Sequence, residues 1–168
     1  MIALAIVPMA QAAEGKKPKN ECNDARQGIK FYRDNTWIAE QSLGMRRTPT
    51  DFAERSIGCK YVRWAAKLWQ QRSKGVNTKL RSINADPRKA ICFVFGEYCS
   101  QALRVSSCET GGTYHIGATN GQYLGLFQMG NYARSNYGHG YTALEQARAA
   151  YAYFVNSGRD WSPWSCKP

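Results

Sequence analysis

A helical apolar stripe that ends on a single acid and two glycines constrains this chain more than any other feature. Ile91, Phe95, Tyr98, Ala102 and Val105 recur at alternating intervals of four and three residues, which predicts a helix with one buried face. Asp86-Pro87 supplies its start, a capping residue followed by proline at the first helical position. Gly111 and Gly112 supply its stop, because glycine enters left-handed backbone without strain. The helix therefore delivers Cys108 and Glu109 to its C-terminal end. Downstream, Asn120-Gly121 is a turn signal, and Gly125-Leu126-Phe127-Gln128 sets one amide among apolar neighbours.

Surrounded by apolar and aromatic side chains, a carboxylate loses solvation of its charged form, so it can hold a proton and donate it as a general acid. Cleaving a glycosidic bond requires such a donor. The competing reading of Glu109 is an acid that merely closes a surface helix.

Six cysteines, none in a C-x-x-C pair, favour three disulfides over a metal or redox site. Residues 1–12, MIALAIVPMAQA, read as the apolar and cleavage regions of a secretory signal peptide without its basic start. They are too short to span a membrane, which takes ~20 apolar residues, and no other stretch is apolar enough. Cys22 and Cys59 fall on two adjacent predicted helices, which makes them a candidate pair. Cys92 and Cys99, seven residues apart on an unbroken helix, would sit about 10 Å apart, too far to bridge. Their pairing requires Gly96 to break the helix; otherwise they cross to Cys22 and Cys59.

The combination of C-E-T-G-G (residues 108–112) with G-L-F-Q-M (125–129) resembles the E-S-G and G-L-M-Q motifs of the soluble lytic transglycosylase family. It also resembles the C-E-S-G-G motif of resuscitation-promoting-factor-like lysozyme domains. Thr110 replaces the usual Ser, and Phe127 a frequent Met. The resemblance covers about residues 86–168 and implies a mainly α, lysozyme-like domain with Cys108 paired to Cys166. It implies Glu109 as catalytic acid, then base, on the MurNAc-GlcNAc β-1,4 bond of peptidoglycan, giving 1,6-anhydromuramyl ends, with Gln128 contacting substrate. The other reading of Gln128 is a buried amide satisfied by backbone. Tyr123, Tyr132, Tyr137 and Tyr141 crowd the same region, and Asn120, Tyr123 and Tyr141 join Gln128 as candidate sugar-binding residues.

The remaining acids support a single-carboxylate mechanism. Beyond Glu109 only Glu145 and Asp160 follow. Thr142-Ala143-Leu144-Glu145 is a capping box, opening a helix buried through Leu144, Ala147, Tyr151 and Phe154, and Asp160 sits in a turn. A hydrolytic muramidase assisted by Asp160 or by a Gln128-positioned water is the first alternative, and a non-catalytic peptidoglycan-binding or signalling module the second. Trp161 and Trp164 read first as core. His115 and His139 read as loop residues; no triad, phosphate loop, metal site or cofactor is indicated.

Residues 13–19 form a basic linker, and 20–85 a basic helical region. One helix carries Ile29, Tyr32, Thr36, Ala39 and Leu43. A second starts near Thr48-Pro49, buries Ile57, Tyr61, Trp64 and Leu68, and ends by Gly75, leaving 76–85 as a connection. Lys and Arg outnumber Asp and Glu by 18 to 9 over residues 1–100 and by 5 to 3 beyond. A basic half joined to a nearly neutral one suits an anionic wall polymer, in a secreted or cell-wall setting, unless the charge only aids solubility. No nucleic-acid-binding motif accompanies it.

Overall fold

The computed structural model describes residues 21–50 and 58–168, so the signal-like segment, the linker and Ile57 lie outside it. The described chain is mainly helical. It comprises α1 (Glu21–Ser42), α2 (Cys59–Asn84), α3 (Pro87–Phe95), α4 (Cys99–Glu109), α5 (Asn131–Tyr137) and α6 (Ala143–Asn156). An antiparallel pair, β1 (Thr119–Asn120) and β2 (Tyr123–Leu124), sets Asn120 opposite Tyr123.

The caps read from sequence form as expected. The Asp86 carboxylate accepts from Arg88 N at 3.0 Å with Pro87 at the first helical position. Thr142 and Glu145 close a reciprocal capping box on α6. The helix leading to Glu109 is interrupted: Gly96, at φ +54°, ends α3, and a 3-10 turn over Gly96–Tyr98 restarts the chain as α4. That break brings Cys92 and Cys99 to a Cα separation of 4.4 Å, where they form a disulfide. A helix continued through Gly96 would hold them out of reach.

The main core lies between α3, α4 and α6. Phe95 stacks on Phe127 and on Trp161, with ring centroids 5.3 and 5.6 Å apart, and Phe154 meets Trp161 at 4.5 Å. Trp161 and Trp164 are buried, so both serve the core.

The second helix departs from expectation. It starts at Cys59 and runs through Gly75 to Asn84, absorbing the segment read as a connection. Its buried face is Val62, Ala65, Trp69, Ser73, Val76 and Ile83, whereas Tyr61 and Trp64 are more than half exposed. Two stripes at helical spacing compete on this helix, and the one containing Val76 and Ile83 continues for its whole length. Thr48 does not cap it either: it serves Glu40 of α1.

α1 and α2 run in the same direction. Trp37 packs on Trp69 and Glu40 bonds Arg72, each partner 32 positions further along. Leu43 and Ile83, near the C-terminal ends of both helices, enter one core. Toward the N-termini the offset is not constant, since Gln70 donates to the Tyr32 hydroxyl across 38 positions. The expected Cys22–Cys59 disulfide is not formed, because the packing of the two helices does not bring the sulfurs to bonding distance.

Glu40 locks this pair. It is fully buried, accepts from Thr48 N at 2.7 Å and from the Thr48 hydroxyl, and meets the Arg72 guanidinium at 2.9 Å. Burial opposes its charge, but the hydrogen bonds from Thr48 and the Arg72 cation together outweigh it and hold the carboxyl below its usual range. A carboxyl lowered on folding from ~4.3 contributes stability above that pH and loses it as pH falls through the folded value. Glu40→Gln should therefore destabilise the protein at pH 7 by about 1–3 kcal/mol, toward the lower end because Arg72 is partly solvated. Urea melts between pH 7 and pH 3 check this: wild type and variant should differ at pH 7, and the difference should shrink as pH falls below the ordinary carboxylate range.

Candidate active site

Glu109 is the last residue of α4, and the chain turns away from it through a glycine cap. Gly111 N donates to Cys108 O, and Gly112 N to Ser107 O at 2.6 Å, both glycines having positive φ. These are the paired bonds of a Schellman ending. Thr110, where the resembled families carry Ser, is buried; its hydroxyl donates to Ser106 O and accepts from Tyr114 N. The conservative change therefore keeps a hydroxyl at a position that uses it twice.

The Cys108–Cys166 disulfide forms, with a Cα separation of 5.9 Å. It carries Cys166 N to within 3.1 Å of Glu109 Oε1, where the amide donates to the carboxylate. One carboxylate oxygen is held by the backbone of the tail, which leaves the other for a ligand.

Glu109, Asn120, Tyr123, Gln128, Pro163, Trp164 and Ser165 line one cleft of about 280 Å³. Three of the four sugar-binding candidates thus meet the acid. A second hollow of about 250 Å³ shares Tyr123, Gln128, Pro163 and Trp164 with it and extends past Gly130 and Tyr132. The Tyr123 ring lies over Gly130, where an added Cβ would come within 3.1 Å of it, and remains 44% exposed. Aromatic faces along a polar groove suit pyranose rings.

Gln128 carries the most informative geometry. Its Nε2 donates to Gly125 O at 2.9 Å and to Ala118 O at 3.1 Å. Two carbonyl acceptors fix the amide orientation, since Oε1 cannot take that position. Oε1 is buried and receives no hydrogen bond, and a buried acceptor left unsatisfied costs about 1–3 kcal/mol. Gln128 also holds φ +43°, a left-handed conformation that costs an L-residue roughly 1–2 kcal/mol. Backbone thus satisfies the nitrogen, as one of the two readings expected, and nothing among the described residues satisfies the oxygen.

Several supports were not foreseen. Gln146, buried on α6, accepts from Leu126 N at 3.0 Å and donates to Ile116 O at 2.9 Å, tying the loops around the cleft to the core. Ser106 donates to Leu126 O at 2.8 Å, and Trp164 Nε1 to Phe127 O at 2.9 Å. A Cβ at Gly125 would stand 2.5 Å from Gln146 Oε1 and 2.6 Å from His139 Cε1, so only glycine fits there. Gly125 interrupts an apolar run, and Ser106 and Gln146 sit beside Val105 and Ala147 of the buried helical stripes, which is the signal the sequence carried for them.

Tyr141 lies elsewhere. It is 95% exposed and borders a mostly apolar depression with His139, Ile116 and Gly125, because the α6 capping box turns it outward. Burial and the neighbouring Arg134 cation push His139 below its usual range, keeping the ring neutral.

Among the described residues, Glu109 is the sole carboxylate lining the cleft. Glu145 Oε2 accepts from Tyr141 N and Thr142 N, both at 3.0 Å, and Asp160 accepts from Ser162 N. Both acids have the structural employment their sequence context indicated.

Fold and site together define a helical, disulfide-stapled protein with one acid at the end of a groove; two disulfides point to an oxidising environment. Among the described residues no helix is long and apolar enough to cross a membrane. Comparison of the chain with protein-family models, with curated proteins and with solved structures finds no match.

The tail bridge closes a loop of 58 residues, worth about 4 kcal/mol in the chain-entropy description. Cys166→Ser should lower the melting temperature by on the order of 10 °C under oxidising conditions. It should also raise hydrogen exchange at the C-terminal end of α4. An unchanged melting temperature would mean that the bridge does not hold the tail.

Proposed function

We propose that the protein is a secreted, lysozyme-like lytic transglycosylase acting on peptidoglycan glycan strands in the cell wall. The observation that carries the reading is the juxtaposition of one carboxylate, Glu109, with the buried, unsatisfied Oε1 of Gln128 in one groove. A retaining or inverting hydrolase of the common kind needs two carboxyl groups about 5–9.5 Å apart across the scissile bond, and this cleft is lined by one.

One carboxyl suffices where the substrate supplies its own nucleophile. Glu109 protonates the glycosidic oxygen as the bond from muramic acid C1 to that oxygen breaks, freeing the 4-hydroxyl of the departing sugar. The resulting carboxylate then takes the proton of the muramyl C6 hydroxyl while that oxygen bonds to C1. The product is a 1,6-anhydro ring, no water is consumed, and Glu109 returns to its protonated form. Gln128 Oε1 suits an N–H donor, such as the acetamido group of an amino sugar, and Tyr123 offers a ring face beside it.

Products of purified peptidoglycan, read by mass, test this directly. Wild type should give anhydromuramyl ends, lighter by one water than hydrolysed ends, and Glu109→Gln should give none. Reducing ends from wild type would instead identify a hydrolase. Gln128→Leu, which removes the acceptor at similar volume, should lower kcat/KM by about 10- to 100-fold, the loss expected for one buried substrate hydrogen bond. Because it also removes the Nε2 bonds to Gly125 O and Ala118 O, the melting temperature should fall by several degrees, and rates are compared well below it.

A further inference from the structure

Outside the cleft, the most unusual surface is α2. Its 26 residues include seven cations and no acid. Arg72 is committed to Glu40, Lys79 lies 5.8 Å from the Phe93 ring, and Arg81 bonds Asn77 O. Lys60, Lys67, Lys74 and Arg81 recur every seven residues, all exposed. No ion pair among the described residues engages the three lysines. Successive members are two helical turns, about 10.5 Å, apart and line one face for about 32 Å. Trp64, more than half exposed, stands between the first two; Gln71 and Thr78 occupy the equivalent positions further along.

This face leads toward the cleft. One turn beyond Arg81, Asn84 opens a hollow of about 700 Å³ whose opposite wall is Gly112–Ile116, the loop that leaves Glu109. That hollow, also lined by Asp86 and Arg88, shares no residue with the cleft, but the loop that walls it begins three residues after Glu109 and so runs between the cleft and the C-terminal end of α2.

We infer that the Lys60–Lys67–Lys74 face of α2 is a docking surface for the carboxylate-bearing peptide stems of the same glycan strand. The inference rests on the peptidoglycan reading above. The cation spacing is close to the length of one β-1,4-linked disaccharide, and peptidoglycan carries an anionic stem on each disaccharide. Lysine suits such a surface because its ammonium is a point charge on a flexible stem and tolerates variable carboxylate positions, where arginine favours fixed bidentate geometry. Trp64 adds an apolar plate for a sugar ring or stem between charges.

The test is co-sedimentation with purified sacculi freed of other wall polymers, using the full chain carrying Lys60→Gln, Lys67→Gln and Lys74→Gln together. Retention should fall about tenfold at low salt, the scale of removing three exposed ion pairs at once. The difference should vanish near 1 M salt, where the Debye length is ~3 Å. Replacing the same lysines by arginine should restore retention, which separates charge from folding damage. Capping the stem carboxylates with a carbodiimide and ethanolamine, which neutralises their charge and leaves the strand and stems in place, should reduce wild type to the level of the triple variant. A short soluble glycan fragment should be processed equally by both proteins, and the lysine substitutions should cut retention by the same factor in a Glu109→Gln background, where the sacculi stay intact, so docking and chemistry fail independently. Equal retention of the triple variant, or undiminished wild-type binding to capped strands, would overturn the inference. So would tighter wild-type binding to phosphatidylglycerol vesicles or to duplex DNA than to sacculi.

Discussion

The hydrogen bond from Cys166 N to Glu109 Oε1 is the contact on which the candidate site depends, and a disulfide one residue before the acid makes it possible. α4 ends in a Schellman turn, and nothing in that turn would hold a carboxylate in one orientation. The bridge solves this by bringing a second segment of backbone to the acid. With Cys166 come Pro163, Trp164 and Ser165, so the segment that fixes the acid also builds a wall of the groove. Trp164 then ties that wall to the floor through its bond to Phe127 O. Core, wall and acid form one mechanical unit centred on the aromatic stack of Phe95, Phe127 and Trp161.

The groove floor stores strain and an unmet hydrogen bond in one residue. Gln128 adopts left-handed backbone and leaves a buried oxygen without a donor among the described residues, both unfavourable. Neighbouring polar groups impose the arrangement: Gln146 pins Leu126, Ser106 bonds Leu126 O, and Gly125 leaves room for them. A ligand that donates to Gln128 recovers part of that cost on binding, which is how preorganised sites convert folding energy into affinity.

Much of this was legible in the chain before the structure. The end of α4 followed from glycines after an apolar stripe and the α6 start from Thr142 and Glu145, whereas the sequence left Cys92 and Cys99 open between a bridge across a break at Gly96 and pairing with Cys22 and Cys59. What failed did so for identifiable reasons. On α2 two apolar stripes share the helical period, and only the packing of Trp37 against Trp69 selects the one containing Val76 and Ile83. Cys22 and Cys59 stay unbonded, because the distance between residues at the starts of two helices is set by long-range packing that local spacing cannot express. Tyr141 shared a neighbourhood in sequence with the site residues, but a capping box turned it outward. Ser106 and Gln146 were hidden because a polar residue on a buried face shows its purpose only once its partner is known.

The span of the Glu109–Cys166 contact, 57 residues, also bears on timing. Chains are made from the N-terminus, so the acid, its helix and the hairpin emerge before the segment that holds them in place. Until residues 161–166 arrive and the bridge closes, the groove lacks a wall and the carboxylate lacks its anchor. Maturation by oxidation therefore delays assembly of the groove until most of the chain has cleared the site of synthesis.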